Sequence, residues 1–240
     1  RSPSPPCDPA CSSLLHQARK AVGFMPDDEG MALHDLAHRA VSSRAGATLV
    51  EIGAWCGKST LFLGSAAAAD RSGAVLFSVD HHHGSEENQA GWEHHDPTLV
   101  DPRTGRIDTL PRWRQTVEDA AIDHCVIGVI GDSATIARHW HTPIDLCFID
   151  GGHGDAPAKA DFAGWAPWVA IGGCLAIHDV FPDPADGGRP PFELWQAALA
   201  SGQWADDGAW GSLRALRRIA QPPRSAGLPS PGLSNPGLPT

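Results

Sequence analysis

The chain has 240 residues, 42% of them hydrophobic, enough for one large domain with a full core. Its 28 acidic against 18 basic residues, a formal charge of −10, argue against a nucleic-acid partner gripped through its phosphates and favour a small-molecule substrate. No apolar run approaches the roughly 18 residues that cross a bilayer, and the leading RSPSPPCDPACSS lacks the apolar centre of a secretion signal, so no membrane partner and a cytoplasmic location are expected. The six cysteines are scattered, with no C-x-x-C pair, and read as reduced thiols instead of a disulfide framework.

Taken in chain order, strand and helix signals alternate. Residues 1–11 are Pro-rich and expected to be flexible. Helices over Ser12–Val22 and Asp28–Ser43 form an amino-terminal cover spanning residues 12–45, the second with Met31, Leu33, Leu36, Ala37, Ala40 and Val41 on its apolar face. Strands are expected at Thr48–Ile52, Ala74–Val79, Val126–Ile130, Asp145–Ile149 and Cys174–Ile177. Between them the pattern predicts helices at Leu61–Ala69, Arg112–Ala121, Ser133–Arg138, Ala156–Trp168 and Phe192–Ala200. Ser212–Ile219 alternates imperfectly with arginines and reads as a final edge or antiparallel strand. Residues 84–106, rich in Gly, Asp, His and Pro, form a long loop. The tail from 221 to 240 repeats Pro, Gly and Ser without a core pattern and reads as disordered. The β, α, β, α order makes residues 46–220 an α/β domain, a Rossmann-like doubly wound sheet with right-handed crossovers.

The stretch TLVEIGAWCGKST, residues 48–60, runs from an apolar strand through a glycine turn into a helix start. Gly53 and Gly57 permit close backbone approach, and Ser59 with Thr60 offers hydroxyls and free amides to a polar ligand. A Walker A loop needs one more residue between Gly53 and Gly57, and a dinucleotide fingerprint needs a glycine where Ala54 and Trp55 stand. Glu51 would repel a phosphate but could accept bonds from an ammonium group or ordered water. A cofactor with one nucleoside, no phosphate and an amino-acid end fits these features: S-adenosylmethionine.

Ligands of such sheets bind beyond the carboxyl ends of the parallel strands. Four strands deliver an acid there: Asp80, Asp132, Asp150 and Asp179. Asp80 has the reach to accept two hydrogen bonds from ribose hydroxyls, and His81 beside it can contact the nucleoside. Asp132 and Ser133 would lie beside an adenine ring, although Asp132 could equally cap the following helix.

EIGAWCGKST, FIDGGH at 148–153 and GGCLAIHDV at 172–180 resemble, as an ordered set, motifs of the catechol-type O-methyltransferases and their bacterial relatives among the class I S-adenosylmethionine-dependent methyltransferases. The likeness covers roughly residues 46–180. It implies a seven-stranded mixed sheet, mostly parallel with an antiparallel final strand, and a cofactor seated on the first two strand ends. By that resemblance Glu51, Trp55 and Ser59 line the methionine end, Asp80 the ribose, and Asp132 with Ser133 the adenine; Gly53, Gly57 and His81 join them as cofactor-binding residues. It also implies a divalent ion held at Asp150, His178 and Asp179. His178 departs from the oxygen-only pattern of the group and would weaken magnesium in favour of manganese, iron, cobalt or zinc. Alternatively His178 acts as a base. His153 stands where the group carries a lysine base, and an imidazole with an ordinary pKa of about 6.5 suits proton abstraction. The catalytic residues are then His153, His178 and Asp150, and the acceptor is a hydroxyl of a small molecule; a homodimer is compatible.

His81, His82 and His83, with His94 and His95, form a second histidine-rich stretch, read as a polar lid in preference to a metal site. Trp92 and Trp210 are expected in loops facing an acceptor, and the chain has no tyrosine to supply a phenolate. Two other classes remain open: a metal-dependent hydrolase built on Asp150, His153, His178 and Asp179, and a noncatalytic adenosyl-binding relative.

Overall fold

The computed structural model describes residues 9–92, 94–152, 154–183, 186 and 189–220. His153, the first eight residues and the tail from 221 onward, for which flexible or disordered states are expected, lie outside the described residues.

Two helices, α1 (Pro9–Lys20) and α2 (Asp27–Ser43), precede the sheet. Helix α2 opens on Asp27, Asp28 and Glu29, acids that complement the positive helix start. Its Gly30 leaves room for the Phe62 ring of the next helix. The chain continues through β1 (Thr48–Ile52), α3 (Lys58–Ala69) and β2 (Val75–Asp80). Then come the two-residue strands β3 (Val100–Asp101) and β4 (Arg106–Ile107), followed by α4 (Leu110–Asp119), β5 (Val126–Ile130), α5 (Ser133–Ala137) and β6 (Ile144–Ile149). Last are α6 (Asp155–Trp165), β7 (Val169–Ile177), α7 (Pro190–Ala200), β8 (Trp204–Trp210) and β9 (Leu213–Arg218).

Seven strands form one sheet in the order β5-β2-β1-β6-β7-β9-β8. β9 alone runs against the others, pairing antiparallel with β7 and β8. Strands β1, β2, β6 and the end of β7 are largely buried on both faces because helices cover both sides. One core joins the sheet to α1–α4 through Leu33, Leu36, Leu49, Phe62, Leu76 and Phe148. The other joins it to α5–α7 through Val50, Ile52, Cys147, Trp165, Leu175 and Ile177. Leu49, Val50 and Ile52 are each at most 1% exposed, and each such burial contributes roughly 1.5–3 kcal/mol.

From β1 the chain crosses to β2 on one side and later returns to β6 on the other. The strand order therefore reverses at β1 and β6, which opens a crevice at their carboxyl ends.

Several expectations are corrected. Helix α1 begins at Pro9, so residues 9–11 are helical where a flexible stretch is expected; Cys11 is buried and disulfide-bonded, while Cys56, Cys125, Cys147 and Cys174 are free. Strand β7 starts at Val169, five residues before the expected Cys174, and runs on through Gly172 and Gly173. Strand β8 went unforeseen: WADDGAW is too polar to look like a strand, yet at the sheet edge Asp207 is held in ion pairs with Arg39 of α2 and Arg217 of β9. Trp210 is thus not in a loop; it ends β8 and packs against the core. Among the described residues no helix is long and apolar enough to cross a membrane.

Candidate active site

The turn after β1 is held by left-handed backbone at Gly53 (φ 85°), Trp55 (φ 48°) and Gly57 (φ 96°). The Gly53 amide donates to the Val79 carbonyl at 3.0 Å, and a Cβ on Gly53 would collide with the backbone carbonyl of Asp150. Gly53 is therefore required twice, for its dihedral and for the closeness of β1 and β6 beyond their ends.

Asp80, closing β2, clamps this turn. Its Oδ2 accepts from the Ala54 amide at 2.8 Å and the Trp55 amide at 2.9 Å, and its Oδ1 accepts from the His82 amide at 2.7 Å. A carboxylate has about four acceptor directions, so these amides leave roughly one for a ligand hydroxyl where two were expected. The clamp was not foreseen, since backbone amides carry no side-chain signature.

Glu51 is fully buried beneath the turn. Its Oε2 accepts from the hydroxyls of Thr60 and Ser78, both at 2.6 Å, and Trp113 Nε1 in turn donates to Thr60 at 3.1 Å. Glu51 Oε1 has no partner among the described residues. Burial pushes the carboxyl pKa up to about 7, against the hydroxyls of Ser59, Ser78 and Thr60 that favour the anion. An orphaned buried acceptor below a glycine turn fits a ligand ammonium or a bridging water. Ser59 is buried in the first turn of α3, and Lys58 pairs with Asp27 at 3.9 Å, so its ammonium is directed away from a phosphate-binding role.

Asp132 caps α5, accepting from the Thr135 amide at 2.8 Å, and Ser133 Oγ accepts from Trp165 Nε1 at 2.8 Å. His81 is half-exposed and stacks on His83 with centroids 5.9 Å apart. The histidine-rich stretch is not one cluster. His82 is buried, bonded through Nδ1 to Thr109 Oγ1 at 2.8 Å and packed on Trp113; His83 Nδ1 bonds the Ile107 carbonyl, and His95 Nδ1 the Asn88 carbonyl. Phe24 lies over Trp55 and His94, with centroids 5.8 and 4.9 Å away.

Across the crevice, the Asp150 amide donates to Ile52 and the His178 amide to Ile149, which carries sheet bonding past the ends of β6 and β7. His178 is buried. Its Nδ1 lies 3.1 Å from Asp150 Oδ1 and 3.4 Å from Asp179 Oδ2, and its Nε2 lies 2.5 Å from Glu29 Oε2. Burial disfavours the imidazolium, but the Asp150 charge and bonds to Asp150, Asp179 and Glu29 outweigh it and raise the pKa well above 6.5. For Glu29, burial pushes the pKa up, yet bonds from His178 and Ser212 bring the net below its ordinary value.

Asp150, His178 and Asp179 can each offer one ligand atom within 4.8 Å of the others, so the donor set fits a divalent ion of borderline character. Beside it an apolar crevice is lined by Ile149, Phe162, Ile177, Pro191 and Leu194. A wider groove, lined by Thr98, Asp101, Arg103, Arg112 and Gln115, contains none of these groups, so size does not mark the chemical centre.

Glu29 was missed. An acid in the first turn of a helix reads as dipole compensation, but residue 29 shares the buried stripe of Leu33, Leu36 and Ala37, and a carboxylate on that stripe was the available signal.

A protein-family model described as a methyltransferase domain matches residues 50–180. Among solved structures, the chain is similar to the O-methyltransferase NovP, with a TM-score of 0.63 and 13% identity over 81% of this chain and 81% of that one. It is similar to the O-methyltransferase from Bacillus cereus in complex with SAH, at 0.58 and 16% over 89% and 92%. TomG from Streptomyces achromogenes, an O-methyltransferase involved in tomaymycin synthesis, in complex with SAM, gives 0.57 and 16% over 89% and 91%. At these identities the structural likeness speaks for the fold. The family match spans more than half of the chain, from the β1 turn to the end of β7, and the protein belongs to the class I S-adenosylmethionine-dependent methyltransferases.

Proposed function

We propose that this enzyme transfers the methyl group of S-adenosylmethionine to a hydroxyl of a small molecule, with a divalent ion held by Asp150, His178 and Asp179. The observation that carries the reading is the contact of Gly53 with the Asp150 backbone, which makes the cofactor turn and the acid-histidine group two walls of one crevice. The similar O-methyltransferases in complex with SAM or SAH support the choice of oxygen and of cofactor.

In this reading Glu51, Gly53, Trp55, Gly57 and Ser59 receive the amino-acid end of the cofactor, Asp80 and His81 the ribose, and Asp132 with Ser133 the adenine. When bound, the cofactor supplies an electrophilic methyl group and the ion acidifies the acceptor hydroxyl. Asp150 orients the acceptor oxygen, and His153 takes its proton near neutral pH. Holding the acceptor and the cofactor together at the ends of β1, β6 and β7 lets orientation supply much of the rate. The formal charge of −10 supports a small acceptor over a nucleic acid, and a cytoplasmic location is part of the same reading.

The test is a panel of phenolic, catecholic, sugar and polyketide hydroxyl acceptors offered with cofactor labelled at the methyl group, read by mass spectrometry of the products. Label on oxygen, lost in Asp150→Asn while the cofactor still binds, is the expected result. Bound cofactor without transfer to any hydroxyl would favour the noncatalytic class.

A further inference from the structure

We propose that Glu29, on the amino-terminal helix α2, is the positioning residue that commits Nδ1 of His178 to the divalent ion and so biases the site toward manganese, cobalt or zinc over magnesium. This rests on the metal-assisted reading above and deepens it with residues that lie outside the matched methyltransferase domain, 50–180.

Glu29 is 3% exposed, and a carboxylate so buried is held by its partners. Oε2 meets His178 Nε2 at 2.5 Å and the Ser212 hydroxyl at 3.3 Å, while Oε1 accepts from the Ser212 amide at 2.5 Å. The socket is built for it. Gly211, in the β8–β9 turn with φ 49°, has no side chain, and a Cβ there would occupy the position of the Glu29 carboxylate. Contacts from His178, just past β7, and from Ser212 in the β8–β9 turn therefore fix the carboxylate plane, and that plane fixes the imidazole.

An ionised carboxylate only accepts hydrogen bonds, so His178 Nε2 is the nitrogen that donates to Glu29. Nδ1 faces Asp150 Oδ1 and Asp179 Oδ2, to which the imidazolium donates its second proton, and an ion held between these groups would take the place of that proton. A histidine that donates one ring N–H to a carboxylate and presents the other nitrogen to an ion is the usual outer-shell device of metal sites, where it sets the tautomer and strengthens the ligand. Two carboxylate oxygens and one imidazole nitrogen form a donor set better suited to borderline transition ions than to magnesium, which favours oxygen alone.

The experiment is calorimetric titration of the chelator-treated full chain with Mg2+, Mn2+ and Co2+, with S-adenosylmethionine affinity measured on the same samples. Mn2+ and Co2+ are expected to bind roughly tenfold or more tightly than Mg2+. Glu29→Gln is expected to weaken Mn2+ and Co2+ by about 10–100-fold, with Glu29→Asp recovering part of the loss and cofactor affinity unchanged. His178→Asp should shift the preference toward Mg2+. Pulsed electron paramagnetic resonance of Mn2+ on the unmodified protein should show nitrogen coupling that His178→Asp removes, a readout that stands even if the Glu29 variants fold poorly. Equal affinity for all three ions, Mn2+ affinity indifferent to Glu29→Gln, or absent nitrogen coupling would overturn the proposal. Failure to bind any ion while the cofactor binds would overturn it too, leaving His178 as a bridge between Glu29 and Asp150. Failure to bind the cofactor would count against the methyltransferase reading itself.

Discussion

The two walls of the crevice are made in opposite ways. The cofactor turn takes its parts from residues close in sequence or on adjacent strands: Glu51 with Thr60 and Ser78, and Asp80 with the amides of Ala54, Trp55 and His82. The acid-histidine wall joins Glu29, Asp150, His178 and Ser212, separated by as many as 183 positions along the chain. The first wall is a local device that a short sequence motif can encode. The second exists only after α2, β6, β7 and the β8–β9 turn have packed.

The contrast can be broken from either side. The largest effect is expected at Asp150: Asp150→Ala should lower methyl transfer by about a thousandfold, on the order of 4 kcal/mol, with cofactor affinity kept within a few-fold. Single-turnover rates and calorimetry separate the two, and a parallel loss of cofactor affinity would merge the walls into one unit. Gly53→Ala acts on both at once, since it combines a left-handed dihedral with a backbone collision; strain and overpacking together predict a loss of about 3–4 kcal/mol, visible in urea denaturation. A stability change below about 1 kcal/mol would show that the β1 and β6 ends can separate without penalty.

Glu51 sharpens the picture of the local wall through pH. Its folded pKa of about 7 lies above the ordinary 4.5, so its contribution to stability is fully present below about pH 4.5 and is lost as pH rises to about 7. The loss amounts to about 3 kcal/mol, and Glu51→Gln should remove that pH dependence from chemical denaturation curves taken between pH 5 and 8. An identical pH profile in the variant would mean that the carboxylate is ionised when folded. The smallest effect is expected from Phe24→Ala. Phe24 is 60% exposed above Trp55 and His94, so its removal should raise the cofactor KM a few-fold, about 0.5–1 kcal/mol, with little change in Tm.

Legibility in the sequence followed the same division. The apolar runs of β1, β2, β5 and β6, the glycine turn and the acids at strand ends could all be read, because each depends on residues within a few positions of one another. The role of Asp80 was half legible: its place at the end of β2 could be read, but the three amides it holds depend on how the turn folds back. Strand β8 escaped because its polar residues suit only an edge, and Glu29 escaped because its partners lie 149 and 183 positions away. The histidine run misdirected attention in the other direction, since His82 is buried on Trp113 and Thr109 while its neighbours point elsewhere.

The most direct measurement is a thermal-shift comparison of the full chain with S-adenosylmethionine, ATP and NAD. S-adenosylmethionine at about 100 times its Kd should add about 2.7 kcal/mol and raise Tm by several degrees, with ATP and NAD giving no shift. Stabilisation by ATP or NAD and none by S-adenosylmethionine would contradict the account.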